Sequence, residues 1–298
     1  MPGMHWPGMI IMKITHEIKR KLIQLTAFGF SNSHIQNLAG GKIYKGKWKN
    51  FCNPGINCYS CPAARMACPI GAMQAVGGSP KYGFSFYALG FVLAIGVIFG
   101  RTICGYVCPF GLIQELLHKI PSPQKRLPKP FTYVKYVLLL AFVFILPAVL
   151  TDKYGRGIPA FCQYICPAGT LEGGIPILLT HIDLRRQLGP VFVIKAMLLI
   201  GTIIACIICC RFFCKAMCPL GAIYGLLNKV SFHRLHLKKE ACISCGRCQD
   251  VCPMDVNPAE HPDSMECIRC GRCVGACPNH VIHIGFSDHA KDNTNNVC

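Results

Sequence analysis

The chain has 298 residues, of which 52% are hydrophobic and only 15% charged, and its formal net charge is +18. Ordinary soluble domains carry roughly 25% charged residues, so this composition argues against one, and the length allows one large or two ordinary domains. The positive balance does not call for nucleic acid, because the basic residues cluster beside apolar runs (Lys19, Arg20 and Lys21; Lys119, Lys125, Arg126 and Lys129; Lys229, Arg234, Lys238 and Lys239), where they anchor to anionic lipid and set topology.

The opening MPGMHWPGMIIMK lacks the basic start, apolar core and small-residue cleavage site of a secretory signal. Residues 22–38 are long enough to span a bilayer but carry Ser31, Asn32, Ser33, His34, Gln36 and Asn37. An interfacial amphipathic helix and a fourth, packed spanning helix both stay open there. Three runs are clearer: 83–100 has no charge, 131–150 has only Lys135, and 188–210 has only Lys195. Each approaches the roughly 20 residues that cross a hydrocarbon core as a helix. For Lys195, snorkelling of the side chain stands against a role near a quinone or a cluster.

The 22 cysteines sort by spacing. Residues 242–253 (CISCGRCQDVCP) and 267–278 (CIRCGRCVGACP) repeat C-x2-C-x2-C-x3-C-P at an offset of 25 positions. This is the run that holds paired [4Fe–4S] cubanes, three close thiolates on one cluster and the fourth crossing to its neighbour. One cluster therefore takes Cys242, Cys245, Cys248 and Cys277, and the other Cys267, Cys270, Cys273 and Cys252. Zinc prefers two separated C-x2-C knuckles, and such dense spacing is metal-like rather than a disulfide framework.

A second repeat lies in the apolar part. RTICGYVCPFGLIQELLHKI (101–120) matches RFFCKAMCPLGAIYGLLNKV (211–230) at an offset of 110 positions, each after an apolar run. Two half-sites then supply Cys104, Cys108, Cys214 and Cys218 for a third cluster. Cys-Pro-x-Gly recurs at Cys68 (CPIGAMQ) and Cys166 (CPAGTLE). The fourth set is assigned to Cys61, Cys68, Cys162 and Cys166, with Cys58 or Cys52 as alternative ligands; a local site from Cys52, Cys58, Cys61 and Cys68 is the rival. Cys206, Cys209, Cys210 and Cys298 receive no role, since apolar-helix cysteines usually act as small hydrophobes.

The fold expected is an α-helical integral membrane protein with three to four transmembrane helices and an internal repeat, followed by a C-terminal α+β ferredoxin-like domain with two clusters. Residues 1–21 form a cytoplasmic N-terminal segment, 22–235 the membrane domain (repeats about 52–125 and 158–230), 236–286 the ferredoxin-like domain, and 287–298 a disordered tail. The crossings put Cys52–Cys68 and Cys162–Cys166 on one face, and Cys104–Cys108, Cys214–Cys218 and the ferredoxin unit on the other. The basic loops make the latter face cytoplasmic. About 30 Å of hydrocarbon between the two groups is too far for one efficient electron hop, so either the Cys-Pro hairpins dip inward or a partner or quinone fills the gap.

GRTICGYVCPFGLIQELL, FCKAMCPLGAIYGLL and the doubled ferredoxin run resemble the NapH-type membrane polyferredoxins, which include quinol dehydrogenase membrane components of periplasmic nitrate reduction. The resemblance covers nearly the whole chain from about residue 18. It implies four membrane helices in the inner (cytoplasmic) membrane, cytoplasmic [4Fe–4S] clusters, and electron transfer between the quinone pool or a cytoplasmic donor such as ferredoxin and an extracytoplasmic partner. The extra cysteines of CNPGINCYSCPAARMACP and CQYIC depart from the simplest pattern of that family. A maturation factor for a metal-containing oxidase or reductase is the alternative. No nucleophile–base pair or nucleotide fingerprint stands out, so the expectation is a component of an oxidoreductase complex rather than a stand-alone enzyme.

Overall fold

The computed structural model describes residues 7–77, 84–150, 157–186 and 188–286; the expected tail, with Cys298, lies outside them. The described chain is mostly helical, with one two-stranded antiparallel sheet. Two helices, Lys129–Val149 and Pro190–Ile208, are long and apolar enough to cross a membrane. Only 22% and 17% of their apolar windows are buried, so their side chains face outward rather than into a core.

The third expected span is shorter. Phe84–Phe99 is a helix of 16 residues, about 24 Å at 1.5 Å per residue against a hydrocarbon core of about 30 Å. The ambiguous segment is helical over only part of its length. A single helix, Pro7–Ser31, runs through the anticipated boundary at residue 21 and is followed by the short helix Gln36–Gly40. Its polarity is inverted: Arg20, Gln24 and Ser31 are buried while Ile18, Leu22, Leu25 and Phe30 are exposed.

Three stretches widen into π-helix, Leu139–Ile145, Phe161–Ile165 and Gly169–Gly174. The first and third hold the carbonyl four residues before a proline, Pro147 or Pro176. A proline inside a helix removes one amide and crowds that carbonyl, and a wider turn relieves the clash.

Between the long helices lie the Cys-Pro hairpins, each ending in a helix that starts at its proline: Pro69–Gly77, Pro109–Leu117 and Pro219–Leu227. They fold inward rather than extending away from the helices. A Cβ placed on Gly55 would lie 2.7 Å from Cys108 Cα, and Tyr224 Oη donates to Pro54 O at 2.9 Å. The loop holding Cys52–Cys68 therefore meets the Cys104–Cys108 hairpin, and the separation expected between the two groups is closed by the hairpins themselves.

Strands β1 (Arg234–Leu237) and β2 (Ile282–Gly285) pair antiparallel, with Arg234 opposite Gly285, and join the two ends of the ferredoxin-like unit. Buried polar contacts fasten this unit to the hairpins. Asn228 Nδ2 donates to Ser264 O (2.8 Å) and Cys267 O (2.9 Å), and Arg269 reaches Asn228 O and Ser231 Oγ. Arg101 donates to Met265 O at 2.8 Å and pairs with Glu266.

Candidate metal centres

In the ferredoxin-like unit the offset of 25 reappears in the backbone. Positive φ occurs at Ser244 and Arg269, at Gly246 and Gly271, and at Asp255 and His280, which are three pairs of equivalent positions. Left-handed residues just before and after the second cysteine turn successive thiols toward one side, and glycine takes the later position at no steric cost. One cavity is lined by Cys242, Cys245, Cys248 and Cys277, and a second by Cys252, Cys267, Cys270 and Cys273. Four cysteines on the wall of each cavity are the donor set of a cubane, which spreads its four thiolates over four irons.

The hairpins share one construction. The amides of Cys108, Cys166 and Cys218 each donate to the carbonyl five residues back, on Ile103, Phe161 and Phe213. That wide turn brings the paired cysteines of each C-x3-C to one side. The second cysteine then caps a helix, with proline in the first turn, where a missing N–H costs nothing. The glycine N–H donates to the sulfur, at 3.1 Å for Gly221 to Cys218 and 3.4 Å for Gly169 to Cys166; Gly71 and Gly111 serve Cys68 and Cys108 likewise. A helix N-terminus stabilises a thiolate, so Cys-Pro-x-Gly is a thiolate-capping device.

Cys104, Cys108, Cys214 and Cys218 lie within electrostatic reach of one another. Burial, and after it the neighbouring thiols, pushes Cys108 and Cys218 well above the ordinary thiol range. Four buried thiolates need positive charge among them, which iron supplies. The surroundings add more. Arg211 Nη1 donates to Cys104 O at 2.6 Å and Arg101 Nη2 to Cys214 O at 3.0 Å, a reciprocal pair across the repeat. Arg211 is paired with Glu115, which also holds Arg20 and Lys21, while Arg101 and Lys135 share Glu266. Cations outnumber carboxylates in both groups, as suits a buried anionic cluster.

The other hairpin set gathers Cys58, Cys68, Cys162 and Cys166. Cys58 has Cys166 and Cys68 within electrostatic reach, and Cys162 has Cys68 and Cys58. Cβ positions at Gly173, Gly71 and Gly169 would lie 3.3, 3.9 and 3.9 Å from the sulfurs of Cys58, Cys162 and Cys166. Cys61 instead has Glu172 and Lys49 beside it, and Cys52 sits next to Cys68 through its bridge to Ala67. Glu172 accepts from Cys58 N at 2.7 Å; burial raises its carboxyl to about 7, against the lowering effect of that N–H. Lys195 does not reach away from the protein, since its Nζ donates to Cys162 O at 3.2 Å.

Residues 82–128, 136–175 and 191–240 match the family described as a 4Fe-4S binding domain, and residues 234–278 match a 4Fe-4S dicluster domain. The chain carries 4Fe–4S ferredoxin-type domains. It binds several [4Fe–4S] clusters. An uncharacterized protein of Methanocaldococcus jannaschii is 29% identical over 59% of this chain and 68% of its own length. YccM of Escherichia coli, whose name proposes electron transport, is 27% identical over 54% of this chain and 43% of itself, so the match spans under half of that relative. The methylamine utilization ferredoxin-type protein MauN of Methylorubrum extorquens is 25% identical over 80% of this chain and 76% of its own length. No solved structure matches. The chain is thus homologous both to a protein named for electron transport and to a ferredoxin-type protein.

Sequence reasoning passed over several residues that shape these sites. Arg101 and Arg211 appear in the aligned repeat, yet nothing in a linear pattern says that each reaches the other's hairpin. Gly105 is another: a Cβ there would stand 2.8 Å from Ile268 O, between Cys267 and Cys270. This close approach sets the Cys104 hairpin directly on the ferredoxin-like unit. Gly105→Val is expected to cost about 1–3 kcal/mol, the range for forced overpacking, because the opposing atom is backbone. The thermal unfolding midpoint reads this out, and an unchanged midpoint would mean the Ile268 loop yields freely.

Proposed function

We propose that this chain is a membrane-bound electron-transfer subunit, with four [4Fe–4S] centres linking a cytoplasmic donor or the quinone pool to a redox partner on the opposite side of the inner membrane. The observation that carries this reading is the continuity of the cysteine groups. The Cys52–Cys68 loop abuts Cys108, the Cys104 hairpin abuts Ile268, and Cys52, Cys68, Cys104, Cys108, Cys166, Cys218 and Cys270 belong to one buried core. Each centre supplies a one-electron site whose potential follows its charge, hydrogen bonds and exposure.

The ligand sets are Cys242, Cys245, Cys248 and Cys277; Cys252, Cys267, Cys270 and Cys273; Cys104, Cys108, Cys214 and Cys218; and Cys58, Cys68, Cys162 and Cys166. In the last set Cys58 takes the place first given to Cys61. Among the expected ligands only Cys245 is exposed, so its centre is the natural port for a soluble partner. Outward apolar side chains on Lys129–Val149 and Pro190–Ile208, and at Ile18, Leu22, Leu25 and Phe30, support a lipid surrounding. The basic loops support a cytoplasmic ferredoxin-like unit, and the NapH-type resemblance supports a place beside quinol oxidation.

Iron and acid-labile sulfide per chain test the count, on protein purified anaerobically in detergent. About sixteen irons are expected, roughly four for each cubane. About eight would mean that only the ferredoxin-like unit is loaded, and the relay would fail as drawn.

A further inference from the structure

The residue six positions after each Cys-Pro-x-Gly cysteine is polar and turned into the protein: Gln74, Gln114, Glu172 and Tyr224. Each reaches across to a different cysteine-bearing segment. Glu172 and Tyr224 hold backbone of the Cys52–Cys68 loop, at Cys58 N and Pro54 O. The two glutamines reach sulfur. Gln74 Nε2 donates to Cys162 Sγ at 3.3 Å, and Gln114 Nε2 donates to Cys214 Sγ at 3.1 Å. In both cases the target is the first cysteine of the opposing C-x3-C-P pair.

The amide orientation is fixed by a second bond. Phe161 N donates to Gln74 Oε1 at 2.8 Å, and Cys214 N donates to Gln114 Oε1 at 3.4 Å. A backbone N–H can only donate, so the oxygen must face it and the NH2 must face the sulfur. Both glutamines are fully buried, where a hydrogen bond is electrostatically stronger than in water.

We infer that Gln74 and Gln114 are equivalent positioning residues, each clamping the opposing hairpin of one hairpin-held [4Fe–4S] centre and setting that centre's potential through an N–H···S bond. The inference rests on the four-centre reading above. A donor on a ligand sulfur stabilises the reduced, more negative state, so it raises the reduction potential. Neither glutamine is a ligand, and both occupy the same place in the repeat.

The test is an EPR-monitored redox titration of the full chain carrying Gln114→Met or Gln74→Met, which keep length and apolar packing but lose the donor. Gln114→Met is expected to retain wild-type iron and sulfide while one midpoint moves to more negative potential. Gln74→Met should move a different one. Unshifted midpoints in fully loaded variants overturn the inference and leave the four-centre reading standing; about eight irons in the wild type would overturn that reading itself. Should a variant lose its centre, wild-type protein labelled with [side-chain 15N]glutamine still decides. Pulsed EPR of the reduced state should show 15N couplings from glutamine, and their absence at both hairpin-held centres overturns the assignment.

Discussion

Glu115→Gln is expected to destabilise the folded chain by about 3–5 kcal/mol, the cost of removing one partner from a buried ion pair. Glu115 accepts from Arg20 Nη1 at 2.9 Å and Nη2 at 2.8 Å, from Arg211 Nε at 2.9 Å, and from Lys21. The Arg20 and Arg211 side chains have no exposed surface, and Glu115 has only 4%. Lys21 is partly exposed, so its share is screened, and the estimate rests on the two guanidiniums. A neutral amide keeps one acceptor oxygen but loses the charge and turns an NH2 toward guanidiniums that can only donate. Thermal unfolding in detergent measures the loss, and a change below about 1 kcal/mol, the scale of a surface pair, would sink the argument. The pH dependence has a definite sign. Burial would raise the Glu115 carboxyl, but Arg211, Arg20 and Lys21 outweigh it and hold it well below the usual carboxylate range. A lowered folded value stabilises fully above the ordinary carboxylate pKa of about 4.3 and is lost as pH falls toward the folded value. The gap between wild type and Glu115→Gln should therefore stay level near neutrality and narrow in acid.

Cys58→Ser should remove one centre, lowering iron by roughly four per chain, whereas Cys61→Ser should leave iron unchanged. Cys58 neighbours Cys166 and Cys68 and packs against Gly173 on the helix that follows Cys166. Cys61, three residues on, sits between Glu172 and Lys49. Parallel iron analyses of the two variants separate the possibilities. Loss of iron from Cys61→Ser alone would restore the assignment that spacing first favoured.

Several basic residues that look like lipid anchors in the sequence have other partners. Arg20 stands in a basic triplet beside an apolar run, yet it is fully buried on Glu115, 95 positions away. Lys135 looks like a flaw near one end of a spanning run, and Glu266 receives it. A linear pattern gives the sign of a charge but not the direction its side chain takes. The polar residues of 22–38 misled in the same way: Ser31 and Asn32 face inward, and the exposed side of the preceding helix is apolar.

Spacing alone pointed to the ferredoxin-like unit that the match of residues 234–278 to a 4Fe-4S dicluster domain supports, because the first three cysteines of each run stand close together and a tight turn leaves them little choice of direction. The same holds for each Cys-Pro-x-Gly cap, whose cysteine, proline and glycine all act within one helical turn. Tertiary structure decided the rest: that Arg101 and Arg211 exchange hairpins, that Cys58 rather than Cys61 neighbours Cys166, and that the Cys52–Cys68 loop meets the Cys104–Cys108 hairpin. Those outcomes depend on which hairpins pack together, and such contacts join residues a hundred positions apart that no local pattern relates.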